Sequence, residues 1–129
     1  MSETELATTP ILRKPFSGLH IVANLRCSKT VLLENCKALQ LYLNQLISKH
    51  QLQKVGEAYH SFAGGGYTAV IALTESHLSI HTWPEHHYIT FDIFISSYLK
   101  DNTRVTQQVY EEIKDYFDAE VVFEKRIDR

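Results

Sequence analysis

Residues 67–95 contain three strand-type segments joined by short turns, and this feature constrains the fold more than any other. YTAVIALT (67–74) is apolar enough to be central in a sheet, LSIHTW (78–83) follows closely, and YITFDIFI (88–95) comes after the turn-forming PEHH. Parallel neighbours need a connection of a dozen or more residues. The three segments therefore predict antiparallel pairing.

The remaining periodic segments complete a two-layer pattern. They are the strands LHIVANLR (19–26), QKVGEAYHSF (53–62) and EVVFEKR (120–126), a helix capped by Ser28 that runs to about His50, and a helix over 103–118. The first helix carries an apolar stripe at three- and four-residue steps: Leu32, Cys36, Leu39, Leu43 and Leu46. The order strand, helix, four strands, helix, strand predicts an α+β two-layer sandwich, an antiparallel sheet with both helices on one face. Because the central strands are apolar on both sides, we expect a second copy to cover the open face, sheet to sheet.

Length and charge exclude several classes of protein. A chain of 129 residues fits one domain, which we expect over 15–129, after a flexible extension over 1–14. Thirteen basic and fifteen acidic residues give a formal charge of -2, so no strong field favours nucleic acid or an anionic membrane. The sequence shows neither a signal peptide nor an apolar stretch long enough to span a membrane, so we expect a cytoplasmic protein. Cys27 and Cys36 are then expected to be free thiols.

The run ESHLSIHTWPE (75–85) concentrates reactive side chains beside an apolar strand. His77 and His81 lie four residues apart, on one face of a strand. A zinc site needs three converging protein ligands, and no acidic or cysteine partner stands at a recognisable spacing, so the sequence predicts no metal site. Ser76 lacks the glycine-flanked elbow of serine hydrolases. Taken by themselves, these residues could also form an ordinary solvent-exposed strand face that ends in a turn.

The same run resembles, without a break, the processing site of the small bacterial and archaeal S-adenosylmethionine decarboxylases. GLHIVANL, YHSF and YITFDIF extend the resemblance over about residues 17–125. It implies that Ser76 attacks the carbonyl of Glu75, and that the chain is cut into a 1–75 subunit and a 76–129 subunit. Ser76 would become a covalent pyruvoyl cofactor, which would form a Schiff base with the substrate's α-amine and accept the electrons released with carbon dioxide. Neither a metal nor an added cofactor is implied.

The resemblance also implies roles for individual side chains. His81 would carry a proton during the elimination, and Thr68, a serine in the family, would stabilise the oxyanion. Phe62 would stack on the adenine, and Glu85 would hold the ribose hydroxyls, with a turn carboxylate as the alternative reading of Glu85. Asp92 is either a cross-strand charge or a substrate contact.

Besides Thr68, two single positions and one loop depart from the family pattern. Ser96 stands where the family has a cysteine that protonates the decarboxylated carbon, and a thiol, with a pKa of about 8.5, is a far stronger acid than an alcohol. Asn24 stands where an acidic residue is common, and AGGG at 63–66 replaces a more constrained loop. Other groups that could supply the proton are His60, Ser97 and Tyr98.

Three functions therefore remain open from the sequence. The first is S-adenosylmethionine decarboxylation for spermidine synthesis by a homodimer of processed protomers, which the complete motif together with Phe62 and Glu85 favours. The second is a pyruvoyl-dependent decarboxylase of ornithine or arginine. The positively charged side-chain group of that substrate would pair with Glu85 or Asp92. The third is an unprocessed, non-catalytic homologue.

Overall fold

The computed structural model describes residues 17–129, so the predicted extension over 1–14 lies outside the described residues. Six strands form one sheet in the order β2-β3-β4-β5-β1-β6, and each neighbouring pair is antiparallel. The strands are β1 Gly18–Arg26, β2 Lys54–Ser61, β3 Tyr67–Leu73, β4 Ser76–Trp83, β5 Tyr88–Ser96 and β6 Glu120–Asp128. The predicted antiparallel sheet is confirmed.

Three α-helices pack on the sheet where two were predicted. They are α1 Thr30–Glu34, α2 Cys36–Lys49 and α3 Thr103–Phe117. The prediction of one continuous first helix was wrong. The Asn35 side chain accepts a hydrogen bond from the Ala38 N–H at 3.0 Å and so caps a new helix. Ser28 is not the cap, since Lys29 holds that position without a side-chain hydrogen bond. The apolar stripe continues through the break, so periodicity alone did not reveal it.

The helices lie on one face of the sheet, and the core sits between the two layers. In the four inner strands β1, β3, β4 and β5, alternate residues are buried against the helices, including Ile21, Leu25, Ile71, Leu78, Ile80, Phe91 and Ile93. The opposite face, here called the open face, has no layer over it among residues 17–129. The predicted two-layer α+β architecture is therefore confirmed. None of the described helices has both the length and the apolar character needed to span a membrane.

A carboxylate ties α2 to α3 within the helix layer. Glu112 on α3 accepts hydrogen bonds from Lys49 and from His50, whose Nε2 lies 2.7 Å from Glu112 Oε1. Partial burial raises the pKa of Glu112, but the hydrogen bonds from Lys49 and His50 outweigh it, so the pKa is lowered.

Short turns at both ends of β4 position the motif. At its start Leu73 pairs with Ser76, so Thr74 and Glu75 form a two-residue turn between β3 and β4. At its end Pro84–His86 form one turn of 3-10 helix, and His87 adopts a left-handed backbone with φ 53°. The predicted turn at PEHH is thereby confirmed.

The glycine loop between β2 and β3 packs tightly on the end of β4. A Cβ at Gly66 would lie 2.4 Å from the Thr82 carbonyl oxygen, whereas a Cβ at Gly64 would meet nothing within 4 Å. Gly66 is therefore needed for close approach of the two backbones.

Candidate active site

The serine end of the sheet, defined by Glu75, Ser76 and Ser96, carries the predicted cleavage point. Ser76 is the first residue of β4, and its Oγ accepts a hydrogen bond of 3.0 Å from the Ser96 backbone N–H. Since the hydroxyl accepts this bond, its own proton remains available for transfer. The structure brings Ser76 and Ser96, which are twenty residues apart in sequence, together.

A cleft of about 480 Å³ opens beside the serine end. Its lining combines the turn before Ser76 with the ends of β3 and β5 and the segment after β5, and includes Leu73, Thr74, Ile95, Leu99, Lys100 and Asn102. The apolar walls and the amine of Lys100 suit a small organic molecule that carries an anionic group.

The segment after β5 binds Ser96 through both its hydroxyl and its carbonyl. Ser96 Oγ accepts from the Tyr98 N–H at 3.2 Å, and its carbonyl accepts from Asn102 Nδ2 at 2.8 Å. Ser97 is buried, and its hydroxyl accepts from the Asn102 N–H at 3.0 Å. The side chains of residues 96–98 are therefore two alcohols and a phenol, and none is a thiol.

The predicted processing residues lie elsewhere, in a row across the open face that we call the histidine row. Cross-strand pairing aligns Asn24 with Thr90, Thr90 with His81, His81 with Thr68, and Thr68 with His60. Thr68 Oγ1 lies 2.9 Å from His81 Nδ1, a hydrogen bond that orients the imidazole. Nε2 of His81 makes no hydrogen bond within residues 17–129, which leaves it available as a proton carrier.

Within one chain the histidine row does not reach the serine end. Ser76 and His81 are separated by five steps along β4, about 17 Å at the rise of a strand. An odd number of steps also places the two side chains on opposite faces of the sheet. The fold therefore divides the predicted site into two groups, although the motif is continuous in sequence.

The predicted substrate-binding residues lie at the same end of the sheet as His81. Phe62 directly follows β2, its ring is half exposed, and the His60 ring meets it edge-on at 5.0 Å. Glu85 lies exposed in the turn after β4. Asn24 is a member of the histidine row itself. None of the three approaches the serine end of its own chain.

Sequence reasoning missed a third group, which lies on the open face near the start of β4. His77 Nε2 lies 2.9 Å from Asp92 Oδ1, and His20 Nε2 lies 3.5 Å from the same oxygen. No acidic partner of His77 stands at a recognisable spacing in the sequence, yet the fold gives it one. Its partners come from β1 and β5, so their spacing in sequence carried no signal before the strand order was known.

Neither cysteine supplies the acid that is missing at position 96. Cys27 is buried on the helix side and donates its S–H to the Phe117 carbonyl at 3.0 Å, and burial raises the pKa of its thiol. Burial also raises the pKa of Cys36, although a hydrogen bond with Ser61 opposes this. Both thiols are therefore protonated at neutral pH, and both are free.

Comparison with known proteins decides the family. The model of one family, described as S-adenosylmethionine decarboxylase, matches residues 19–129. The chain belongs to the S-adenosylmethionine decarboxylase family. Apart from Gly18, that match includes the six strands and three α-helices that the structure describes over residues 17–129.

Curated relatives agree with the assignment. The S-adenosylmethionine decarboxylase proenzyme of Clostridium botulinum (strain Langeland) is 33% identical over 98 residues, which cover 76% of this chain and 84% of that protein. The proenzyme of the same name from Archaeoglobus fulgidus is 38% identical over 77 residues, or 60% of this chain and 69% of that protein.

A solved structure agrees on the fold. The adenosylmethionine decarboxylase from Aquifex aeolicus superposes with a TM-score of 0.73, covering 90% of this chain and 91% of that one, at 23% identity. The expected family fold is therefore confirmed.

Proposed function

We propose that this chain is a proenzyme that cuts itself between Glu75 and Ser76 and then decarboxylates S-adenosylmethionine in the cytoplasm, supplying spermidine synthesis. The observation that carries the proposal is membership of the decarboxylase family combined with an unbroken motif. At the cleavage point Glu75 ends a two-residue turn, and the hydroxyl of Ser76, the next residue, accepts a hydrogen bond from the Ser96 N–H. The two free thiols agree with a reducing compartment.

The processing chemistry begins with the Ser76 hydroxyl. Its oxygen attacks the carbonyl carbon of Glu75, the C–N bond of that peptide opens, and an ester links the two residues. Loss of the Ser76 Cα proton then breaks the ester C–O bond, which leaves Glu75 with a new carboxylate. Water releases the Ser76 nitrogen as ammonia, and a ketone remains at the new chain end. That group would supply an electron sink for the carbon that loses carbon dioxide.

His81 and Thr68 act on this peptide from a second copy of the chain. Because both lie about 17 Å along the strand from Ser76 of their own chain, they cannot serve it directly. A two-fold axis between two open faces would bring each copy's histidine row to the strand end where the other copy carries its Glu75–Ser76 peptide, since such a contact is the same from both sides. Because the Ser76 side chain lies on the helix side of its own sheet, the contact would reach this peptide around the end of the strand and not through the sheet face. Phe62 and Glu85 would then complete the adenosine site in the same way, and Asn24 would line it.

The open face is suited to such a contact. Its partly exposed apolar side chains include Val70, Trp83, Phe123 and Ile127. Covering this exposed apolar surface with a second copy would remove it from water, which is favourable in free energy. This apolar surface supports the proposed homodimer of processed protomers.

Release of carbon dioxide tests the substrate. The processed protein should release labelled carbon dioxide from carboxyl-labelled S-adenosylmethionine, and Ser76→Ala should not, while remaining folded by circular dichroism. Ornithine and arginine, labelled in the same way, are the matched alternatives. Turnover of either amino acid without turnover of S-adenosylmethionine would contradict the proposed substrate.

Mixed dimers test whether the site is shared between chains. Ser76→Ala and His81→Ala should each stay uncut alone, one for lack of the nucleophile and one for lack of the proton carrier. Co-expressed as a mixture, they form dimers in which Ser76 of the His81→Ala chain faces His81 of the other chain. The His81→Ala chain should then be cut, and fragments are read by mass. If the mixture stays whole although mixed dimers are isolated through two affinity tags, the shared site is wrong.

A further inference from the structure

The third group on the open face has the chemistry of a metal site. Pairing places His20 of β1 and His77 of β4 on either side of Phe94 in β5, with Asp92 two residues along the same strand. The ligand atoms of these three side chains all lie within 4.8 Å of one another. Two imidazoles and one carboxylate form a donor set that zinc and similar divalent transition metals use.

The distances already approach those of a bound ion. With bonds of about 2.0–2.2 Å, two ligands of a tetrahedral zinc ion lie about 3.3–3.5 Å apart. Asp92 Oδ1 is 2.9 Å from His77 Nε2 and 3.5 Å from His20 Nε2. All three residues stand on neighbouring strands of a sheet, which hold ligands more rigidly than loops do.

One atom of the group lacks the partner that burial requires. His20 Nε2 is buried, and although it lies 3.5 Å from Asp92 Oδ1, it has no hydrogen bond within the described residues. Buried polar atoms without a partner are rare in folded proteins. A simple hydrogen-bonded pair of His77 and Asp92 leaves this nitrogen unexplained, whereas a cation at the centre would take its lone pair.

We propose that His20, His77 and Asp92 bind one divalent transition-metal ion of the zinc type, with water in the remaining position. Phe94 packs beside both imidazoles, at 5.9 Å from the His20 ring and 6.2 Å from the His77 ring, and so limits their movement. The ion would join β1, β4 and β5 on the open face.

The site would also join the two products of self-cleavage, and this role rests on the proposed function. His20 belongs to the 1–75 fragment, whereas His77 and Asp92 belong to the 76–129 fragment. His77 directly follows the residue that becomes the new chain end. A bound ion would therefore hold that end in place after the peptide is cut.

Zinc titration tests the site. The protein is first dialysed against chelator, and Zn²⁺ binding is then measured by calorimetry. The metal content after dialysis against Zn²⁺ is measured by mass spectrometry. The full-length wild-type protein and Ser76→Ala should each take up one ion per chain, so the result does not depend on cleavage. Asp92→Asn and His20→Gln should each weaken binding by more than about 100-fold. Removing a group that only hydrogen-bonds to a metal ligand costs up to about 100-fold in affinity, so the loss of a ligand itself should cost more. His86→Gln, an exposed histidine outside the group, is the matched control.

Cobalt gives a second readout that does not depend on affinity. Co²⁺ in the site should show the visible absorption of a low-coordinate ion, and Asp92→Asn should lose it. The proposal is overturned if the wild type binds no ion at saturating Zn²⁺. It is also overturned if Asp92→Asn and His20→Gln bind as tightly as His86→Gln.

Discussion

Replacing Thr82 by valine should destabilise the protein far more than its small change in shape suggests. Thr82 lies inside the motif, between His81 and Trp83, yet it faces the helix layer and is almost fully buried. Its Oγ1 accepts the Tyr67 N–H at 2.9 Å and donates to the Leu33 carbonyl at 2.7 Å. One hydroxyl therefore links β3, β4 and α1.

The magnitude follows from the two groups that lose a partner. Valine has the same shape but no hydroxyl, so the N–H of Tyr67 and the carbonyl of Leu33 would stay buried and unpaired. Each unmade bond costs about 1–3 kcal/mol, and the added methyl offsets part of it, so we expect a loss of about 2–4 kcal/mol. For a chain of this length that is a fall in Tm of about 7–15 °C.

Thermal unfolding at a fixed protein concentration measures the effect, in a Ser76→Ala background that keeps the chain whole. Thr82→Ser keeps the hydroxyl and should lose only about 1 kcal/mol. Thr90→Val is the matched control, because Thr90 faces the open side and has no side-chain hydrogen bond within residues 17–129. A loss below about 0.5 kcal/mol for Thr82→Val, equal to that of Thr90→Val, would refute the reasoning.

Three further changes test other parts of the structure. Gly66→Ala should lower the Tm, because its Cβ would collide with the carbonyl of β4, whereas Gly64→Ala should not. Glu112→Gln should cost about 1–2 kcal/mol at pH 7 by urea denaturation, and Glu111→Gln much less. Because folding lowers the pKa of Glu112, its contribution is present above the unfolded pKa of about 4.3 and is lost as the pH falls through the folded value. Ser96→Cys should raise kcat for S-adenosylmethionine at least about tenfold, since it restores a stronger acid beside Ser76; an unchanged kcat would point to another proton donor.

The layers of the fold could be predicted from sequence because they depend on local patterns. Apolar segments of strand length marked the six described strands, and short turns required antiparallel pairing between β3, β4 and β5. The break at Asn35 could not be predicted from the apolar stripe, because the helix-facing residues keep their spacing across it.

The arrangement of the site needed the strand order. The motif presents Ser76 and His81 as neighbours, but the period of two in a strand separates their faces, and five steps separate their positions. His20 and Asp92 are distant in sequence and meet because β1 inserts between β5 and β6. Register and strand order are properties of the whole chain, so no local pattern indicated either arrangement.

The intact mass of the purified, denatured protein tests the central claim most directly. The account predicts two fragments, one ending at Glu75 with a free carboxylate and one starting at position 76. The second fragment should be lighter, by one ammonia, than the same peptide beginning with serine. A single chain of 14.9 kDa, unchanged after long incubation of the folded protein, would contradict self-cleavage.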